Sequence, residues 1–246
     1  MIINIYDKEK KVFGGGKIKA LIISFLFAIT VVGYGQDENS DNKLTVDVGA
    51  DFVSSYVWRG MYQAGVSLQP ALNFSMYGVT IGAWGSSGFP ASAKELDFYL
   101  SYELKGFSVS IADYWWKGEG ASYFKDAGSH HLEVGLAYTF SEKFPLSLEI
   151  NAMLSGDEDK DNSDRKYYST YISASFPFSV RNIDCEAGIG ITPRKGMYSN
   201  KFDVVAITAK ASKKLHLSAE YALAVFAELI FSPAQDNAFL VFGIRF

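Results

Sequence analysis
Period-two alternation of apolar and polar residues runs through most of this chain, in segments longer than ordinary sheet strands. In Ala64–Tyr77, Val66, Leu68, Leu72, Phe74 and Met76 share one parity, and Ser67, Gln69, Ala71, Asn73 and Ser75 share the other. His130–Phe140 sets Leu132, Val134, Leu136, Tyr138 and Phe140 against Glu133, Gly135, Ala137 and Thr139. Leu146–Ser155 sets Leu146, Leu148, Ile150, Ala152 and Leu154 against Ser147, Glu149, Asn151 and Ser155. Successive side chains of a strand point to opposite faces, so each segment has one oily face and one polar face. The helical period is nearly absent.

About twelve strands are expected: Lys43–Trp58, Ala64–Tyr77, Val79–Gly85, Lys94–Leu104, Phe107–Trp116, His130–Phe140, Leu146–Ser155, Lys166–Phe178, Ile183–Thr192, Phe202–Ala211, Leu215–Ile230 and Asn237–Phe246. Pro70 predicts a bulge in the second. A soluble sandwich alternates too. Strand length separates the two cases. Most of these segments reach ten residues or more, against about five or six in ordinary sheets, and about 9–11 tilted residues cross a bilayer. The connections alternate as well. Tyr77-Gly78, Lys105-Gly106, Ser141–Pro145, Ser179–Asn182 and Ser212–Lys214 are short, whereas Arg59–Gln63, Ser86–Ala93, Lys117–Ser129, Gly156–Arg165, Pro193–Lys201 and Phe231–Asp236 are longer. Short periplasmic turns and longer external loops mark outer-membrane barrels. The expected fold is therefore all-β: an antiparallel transmembrane barrel of about twelve strands.

The two ends agree. Lys8, Lys10, Lys11, Lys17 and Lys19 precede the uncharged run Ala20–Val32, and Gly33-Tyr34-Gly35 follows. A basic region, a short apolar region and small residues two apart are the parts of a signal peptide, and the apolar run is shorter than the about 20 residues of a spanning helix. The expected organisation is a signal peptide at 1–35, a short periplasmic segment at 36–42 and the barrel at 43–246. At the other end Leu240, Phe242, Ile244 and Phe246 share one parity. This resembles the C-terminal signal by which barrels are handed to the insertion machinery.

In hydrocarbon every backbone polar group needs a partner within the protein, so the sheet must close. The apolar parity then meets lipid and the polar parity lines the bore. Parity sends Asp47, Asp51, Asp97, Glu103, Glu133, Glu149, Asp184, Glu186, Asp203, Glu220 and Glu228 inward, with Arg245 and His216 as the clear bases. Carboxylates in a narrow polar channel favour cations. Two readings stay open: a channel for small polar or cationic solutes, and a closed barrel whose carboxylates sit in hydrogen-bond networks, serving as a subunit of a larger envelope complex. Asp113 falls on the lipid parity as an exception.

The net charge is −4, and removing the leader makes it more negative. That argues against a nucleic-acid partner, which needs a basic face. Cys185 is the single cysteine, so no intrachain disulfide can form. Expected partners are outer-membrane lipid, lipopolysaccharide, the insertion machinery and other outer-membrane proteins. No cofactor and no metal are expected. The acidic run Asp157–Asp164 spaces its acids like a calcium loop but lacks the central glycine and distal glutamate, so it reads as a solvated loop. His130-His131, with Ser129 and Asp126 nearby, has the residue types of a rim hydrolase without a spacing that ties them together. No catalytic residue is assigned.

Trp58 and Trp115 are placed at the external rim on the lipid parity. Arg59 is placed at the rim as well, with Gly60 allowing a tight turn. There it either pairs with a carboxylate or phosphate, or forms a constriction. The stretch Tyr56-Val57-Trp58-Arg59-Gly60-Met61-Tyr62-Gln63, followed by Gln69-Pro70-Ala71-Leu72, resembles an uncharacterised family of bacterial outer-membrane proteins described as a transport family. That family opens with Tyr-x-x-Arg-Gly-x-Ser-Gln and a later Pro-Ala pair. Tyr56, Arg59, Gly60, Gln63, Pro70 and Ala71 fit, while Tyr62 stands where the family has Ser. The resemblance implies a small barrel with a transport role and no defined substrate.

Overall fold
In a computed structural model, the structure describes residues 43–90, 94–117, 122–125, 129–218 and 222–246. The leader, the segment to residue 42, Asp126 and Glu220 lie outside them. The strands are β1 (Thr45–Val53), β2 (Tyr56–Trp58), β3 (Met61–Ala64), β4 (Ser67–Met76), β5 (Val79–Gly88), β6 (Lys94–Leu104), β7 (Phe107–Lys117), β8 (His130–Ser141), β9 (Phe144–Ser155), β10 (Thr170–Val180), β11 (Ile183–Thr192), β12 (Asp203–His216), β13 (Ala222–Ser232) and β14 (Asn237–Arg245). Twelve of them close into an antiparallel barrel, each paired with its neighbour, with β1 joined to both β4 and β14. β2 and β3 form a separate hairpin.

The two-faced pattern decides which side of the wall each residue takes. Val48 (72% exposed), Leu68, Leu136, Leu148, Leu240 and Phe242 point outward and stay exposed, whereas Ser67, Gln69, Asp97, His131, Glu133 and Asn151 point inward and are buried. This inverts a soluble protein, which hides its large apolar side chains. At one end of the barrel the connections are tight. Tyr77 and Gly78 have φ of 54° and 76°, and Lys105 and Gly106 have 52° and 81°. Two successive left-handed residues make the turn whose twist suits a two-residue hairpin.

The closing seam is short. Asp51, Phe52 and Val53 of β1 pair with Arg245, Ile244 and Gly243 of β14, and Ala50 and Phe246 exchange backbone bonds of 3.0 and 3.1 Å. The Arg245 guanidinium donates to both Asp51 oxygens at 2.7 and 2.6 Å across it. Beyond Val53 the Ser54 hydroxyl accepts the Phe242 N–H at 2.9 Å, in place of a ladder carbonyl. There the chain leaves the wall.

Several boundaries differ from those read in the sequence. The first expected strand, Lys43–Trp58, ends at Val53, and its remainder enters the β2–β3 hairpin. The expected strand Leu215–Ile230 divides: Leu215 and His216 complete β12, and β13 begins at Ala222. Alternation carries on through the connection there, which hides the turn. Pro70 makes no bulge, because β4 keeps one register against β5 on either side of it, with Leu68 opposite Ser87 and Ala71 opposite Trp84. The mixed pattern of residues 202–211 does have a bulge behind it. The register between β11 and β12 shifts at Gly190/Ile191, so the adjacent Val205 and Ala206 are both buried.

Candidate functional site
The β2–β3 hairpin crosses the bore. Its tip, Arg59-Gly60, has φ of 49° and 74°, the same turn geometry as the tight connections of the barrel wall. A Cβ on Gly60 would collide with the Val205 carbonyl oxygen and crowd the Ser232 hydroxyl, so only glycine lets the tip pack against β12 and β13. Gly60→Ala is expected to cost at least about 1 kcal/mol, measured by denaturant unfolding in detergent. Gly65→Ala is the control, since a Cβ there meets only the Tyr62 hydroxyl at ordinary distance. On one flank of the hairpin, Val57 packs with Phe226 and Phe239 against buried Val53, Ile230 and Val241. This is a small apolar core inside the barrel, and it fastens the hairpin to the β1, β13 and β14 wall.

From the tip, Arg59 reaches the opposite wall. Its guanidinium donates to both Glu133 oxygens of β8, at 2.5 and 2.8 Å, and to the Tyr198 hydroxyl at 2.5 Å. Tyr114 of β7 donates to the same carboxylate at 2.8 Å. The Arg59 side chain is 11% exposed and Glu133 3%. The guanidinium carbon lies 4.6 Å from the Trp58 ring centroid and 4.7 Å from that of Tyr171 on β10. Paired bidentate and held between aromatic faces, Arg59 has the contacts a buried guanidinium needs. Trp58 in turn stands edge-on to Tyr114 and Trp116, with ring centroids 5.8 and 5.1 Å away.

The placement of Trp58 beside lipid is thereby corrected, and Arg59 makes the carboxylate pair that was one of its expected readings, but inside the bore rather than at the rim. The hairpin turns them into the bore, where desolvated aromatic neighbours and a buried carboxylate satisfy both. Trp115 does take the outward parity, next to Tyr123 at 5.6 Å. The exceptional Asp113 is outward too, and His130 meets its carboxylate at 2.8 Å while its other ring nitrogen reaches the Tyr123 carbonyl oxygen at 2.9 Å.

On the short-turn side of the Arg59–Glu133 bridge lies a cavity of about 420 Å³, bordered by Asp97, Glu133 and Glu149 and by the rings of Trp84, Tyr99 and Tyr114. Asp97 is 6% exposed and its Oδ1 has no hydrogen-bond partner. Glu149 accepts from the Asn151 amide at 2.7 Å. Nearer the short turns, Asp47, Glu103, Asp184 and Glu186 are exposed on their inward registers. The expected excess of unpaired acids is smaller than parity implied. Asp51 pairs with Arg245, Glu133 with Arg59, and Glu228 lies 3.7 Å from Lys210. Lys210 was missed because it falls on the strand whose alternation the bulge disturbs. Glu95, which accepts the Trp116 indole N–H at 2.6 Å, shares the parity of Asp97 and was legible.

His131 is fully buried and stacks on Trp116 with centroids 4.3 Å apart. Its ring nitrogens face Glu158 and the Ser129 carbonyl oxygen rather than the Ser129 hydroxyl. The acidic loop is tied by its own pairs. Lys160 bonds Asp157 and Asp164, and the Arg165 backbone amide holds the Asp161 carboxyl below its ordinary range. Among the described residues no cluster of His, Cys, Asp and Glu is arranged to hold a metal.

A closed barrel with a polar bore and an inward hairpin is thus the class of protein at hand. The chain belongs to a family of bacterial proteins of unknown function, Gcw_chp, whose model matches residues 36–241. No curated protein sequence matches it. Among solved structures it is similar to the KdgM porin, at TM-score 0.45 and 8% identity over 82% of this chain and 97% of that one. It is similar also to a triple mutant of the Rh. blastica porin, at TM-score 0.41 and 15% identity over 83% and 73%. A third is BamA from Haemophilus ducreyi lacking POTRA domains 1–3, at TM-score 0.41 and 11% identity. The alignment covers 78% of this chain, which spans 42% of that one.

Proposed function
We propose that this protein is a bacterial outer-membrane barrel that acts as a narrow channel for small polar or cationic solutes, with the β2–β3 hairpin as its constriction. The observation that carries the reading is a bore lined at mid-depth by Asp97, Glu133 and Glu149, inside a closed wall whose outer face is apolar. Such a wall needs acyl chains around it, and surplus carboxylates in its bore lower the energy of cations. In this reading the short turns face the periplasm and the hairpin closes the external half. Lipid and lipopolysaccharide surround the barrel, and the alternating strand ending in Phe242, Ile244 and Phe246 is what the insertion machinery recognises. The protein performs no catalysis and binds no nucleic acid.

Reversal potentials in a salt gradient across a planar bilayer test the reading. Small cation-preferring currents are expected from the wild type. Larger ones are expected when a flexible linker replaces residues 56–64. Anion preference, or silence from both proteins, would overturn it. Because the Arg59–Glu133 bridge spans the bore, a second reading is a permanently closed barrel that serves as a subunit of a larger envelope complex. That reading predicts current from the linker variant alone.

A further inference from the structure
We propose that the β2–β3 hairpin is a gate with two seats, one inside the bore at Glu133 and one in the wall against the free edge of β14. The inference rests on the channel reading above and assigns its constriction a movement. Val53 pairs with Ser67 and Tyr56 with Ala64, so β2 and β3 are the folded-in top of one long β1–β4 hairpin. The fold lies at Ser54. Its N–H donates to the Phe242 carbonyl oxygen at 2.8 Å, two residues beyond the Phe52–Ile244 pair. The answering Phe242 N–H meets the Ser54 hydroxyl at 2.9 Å instead of the Ser54 carbonyl. That rung of the ladder is half made, and a side chain holds the place of the other half.

Past that rung β14 continues from Val241 up to Asn237, and among the described residues no strand pairs with it there on the β1 side. Strand residues of one parity turn both backbone groups to the same neighbour, so Leu240 and Ala238 face that side as Phe242 does. The Ala238 N–H is met by the Asn237 side chain at 2.8 Å. Leu240 is 56% exposed. An open edge toward lipid is costly, and an added strand closes it. The register is already set: Asp51–Arg245 and Val53–Gly243 extend to Tyr56–Leu240 and Trp58–Ala238. In that seat Tyr56 and Trp58 share the outward parity of Phe52, near the external end of the wall, where aromatic residues form the membrane girdle. In the bore the Tyr56 ring meets Trp84 at 5.4 Å, and Trp58 meets Tyr114 and Trp116. Both seats satisfy the same aromatic side chains. Movement between them exchanges the Arg59–Glu133 bridge for ladder bonds to β14.

The test is a disulfide trap in the full barrel, with Cys185→Ser in every protein to remove the native thiol. Trp58→Cys/Ala238→Cys is the trapping pair. A hydrogen-bonded antiparallel pair sets its Cα atoms about 5.5 Å apart, within disulfide reach. Trp58→Cys/Phe231→Cys is the control, because Phe231 pairs with Ala238 from β13, one strand further away and beyond that reach. Oxidation is expected to link the first pair and not the second. Adding Arg59→Ala should speed linkage at least about tenfold, since the bridge no longer holds the inner seat. The linked barrel should pass a larger steady current, which a reductant returns to its starting level. Retention of the heat-resistant barrel on gels shows that each variant folds, and Tyr56→Cys/Leu240→Cys repeats the trap if Trp58→Cys does not. The proposal is overturned if no trapping pair links even with Arg59→Ala, if the control links as fast, or if the linked barrel passes no more current than the reduced one while the linker variant conducts. Linkage is read on gels without any current, so its failure is distinct from failure of the channel reading, which silence of the linker variant decides.

Discussion

Replacing Arg59 with Ala is expected to destabilise the barrel by about 3–5 kcal/mol, the usual cost of stranding one partner of a buried ion pair. The stranded group is Glu133, which is 3% exposed and would keep the Tyr114 hydroxyl as its donor. Glu133→Ala should cost a similar amount by leaving the guanidinium among Trp58, Tyr171 and Tyr198 without its counter-ion. The double variant Arg59→Met/Glu133→Leu separates pairing from packing. A buried pair exchanged for apolar groups of similar volume is often neutral, so the double variant should recover most of the loss. Urea unfolding from lipid vesicles measures all three. If the two single losses simply add in the double variant, the residues do not act as a pair. The same single variants should raise conductance, because the tip of the hairpin loses its hold on the far wall.

Val134→Lys is expected to cost about 2–4 kcal/mol of folding free energy into a bilayer, the depth-dependent penalty for a cation on the lipid face of a barrel. Val134 lies near the middle of β8 on the outward parity, opposite Ile111 and Ala152. Ala137→Lys in the same strand is the control. Ala137 stands on the inward parity opposite Glu149, so the new ammonium meets water and a carboxylate. Its expected effect is near zero on stability, with a lower preference for cations. Equal penalties at the two positions would mean that the outer face does not meet hydrocarbon.

The wall was readable because a barrel spanning a membrane writes both of its environments into every strand. Lys94–Leu104 and Ile183–Thr192 were found to the residue, and in each the parity switches from oily to polar without a break. The hairpin was not readable in the same way. Inside a bore an aromatic side chain can be buried as well as outside, so Trp58 and Met61 carry no mark of their side. The turn itself left a trace. Arg59-Gly60 has the same X-Gly form as Tyr77-Gly78 and Lys105-Gly106, and all three adopt one backbone geometry. What no local pattern could show was the direction of that turn, which depends on Glu133 and Tyr198 arriving from distant strands. Lys210 was obscured for a local reason, the bulge that breaks alternation in β12. Glu133 and Asp97 were found because charge on the inward parity is plain.

The bolt across this tube follows directly on its first wall strand, and its sockets come much later. Arg59 and Glu133 are 74 positions apart, and Arg59 and Tyr198 are 139 apart. A barrel halted after β7 therefore has its bolt but nothing to receive it. Sealing of the passage then follows growth of the wall, and a tight passage becomes a sign that the far side has been completed.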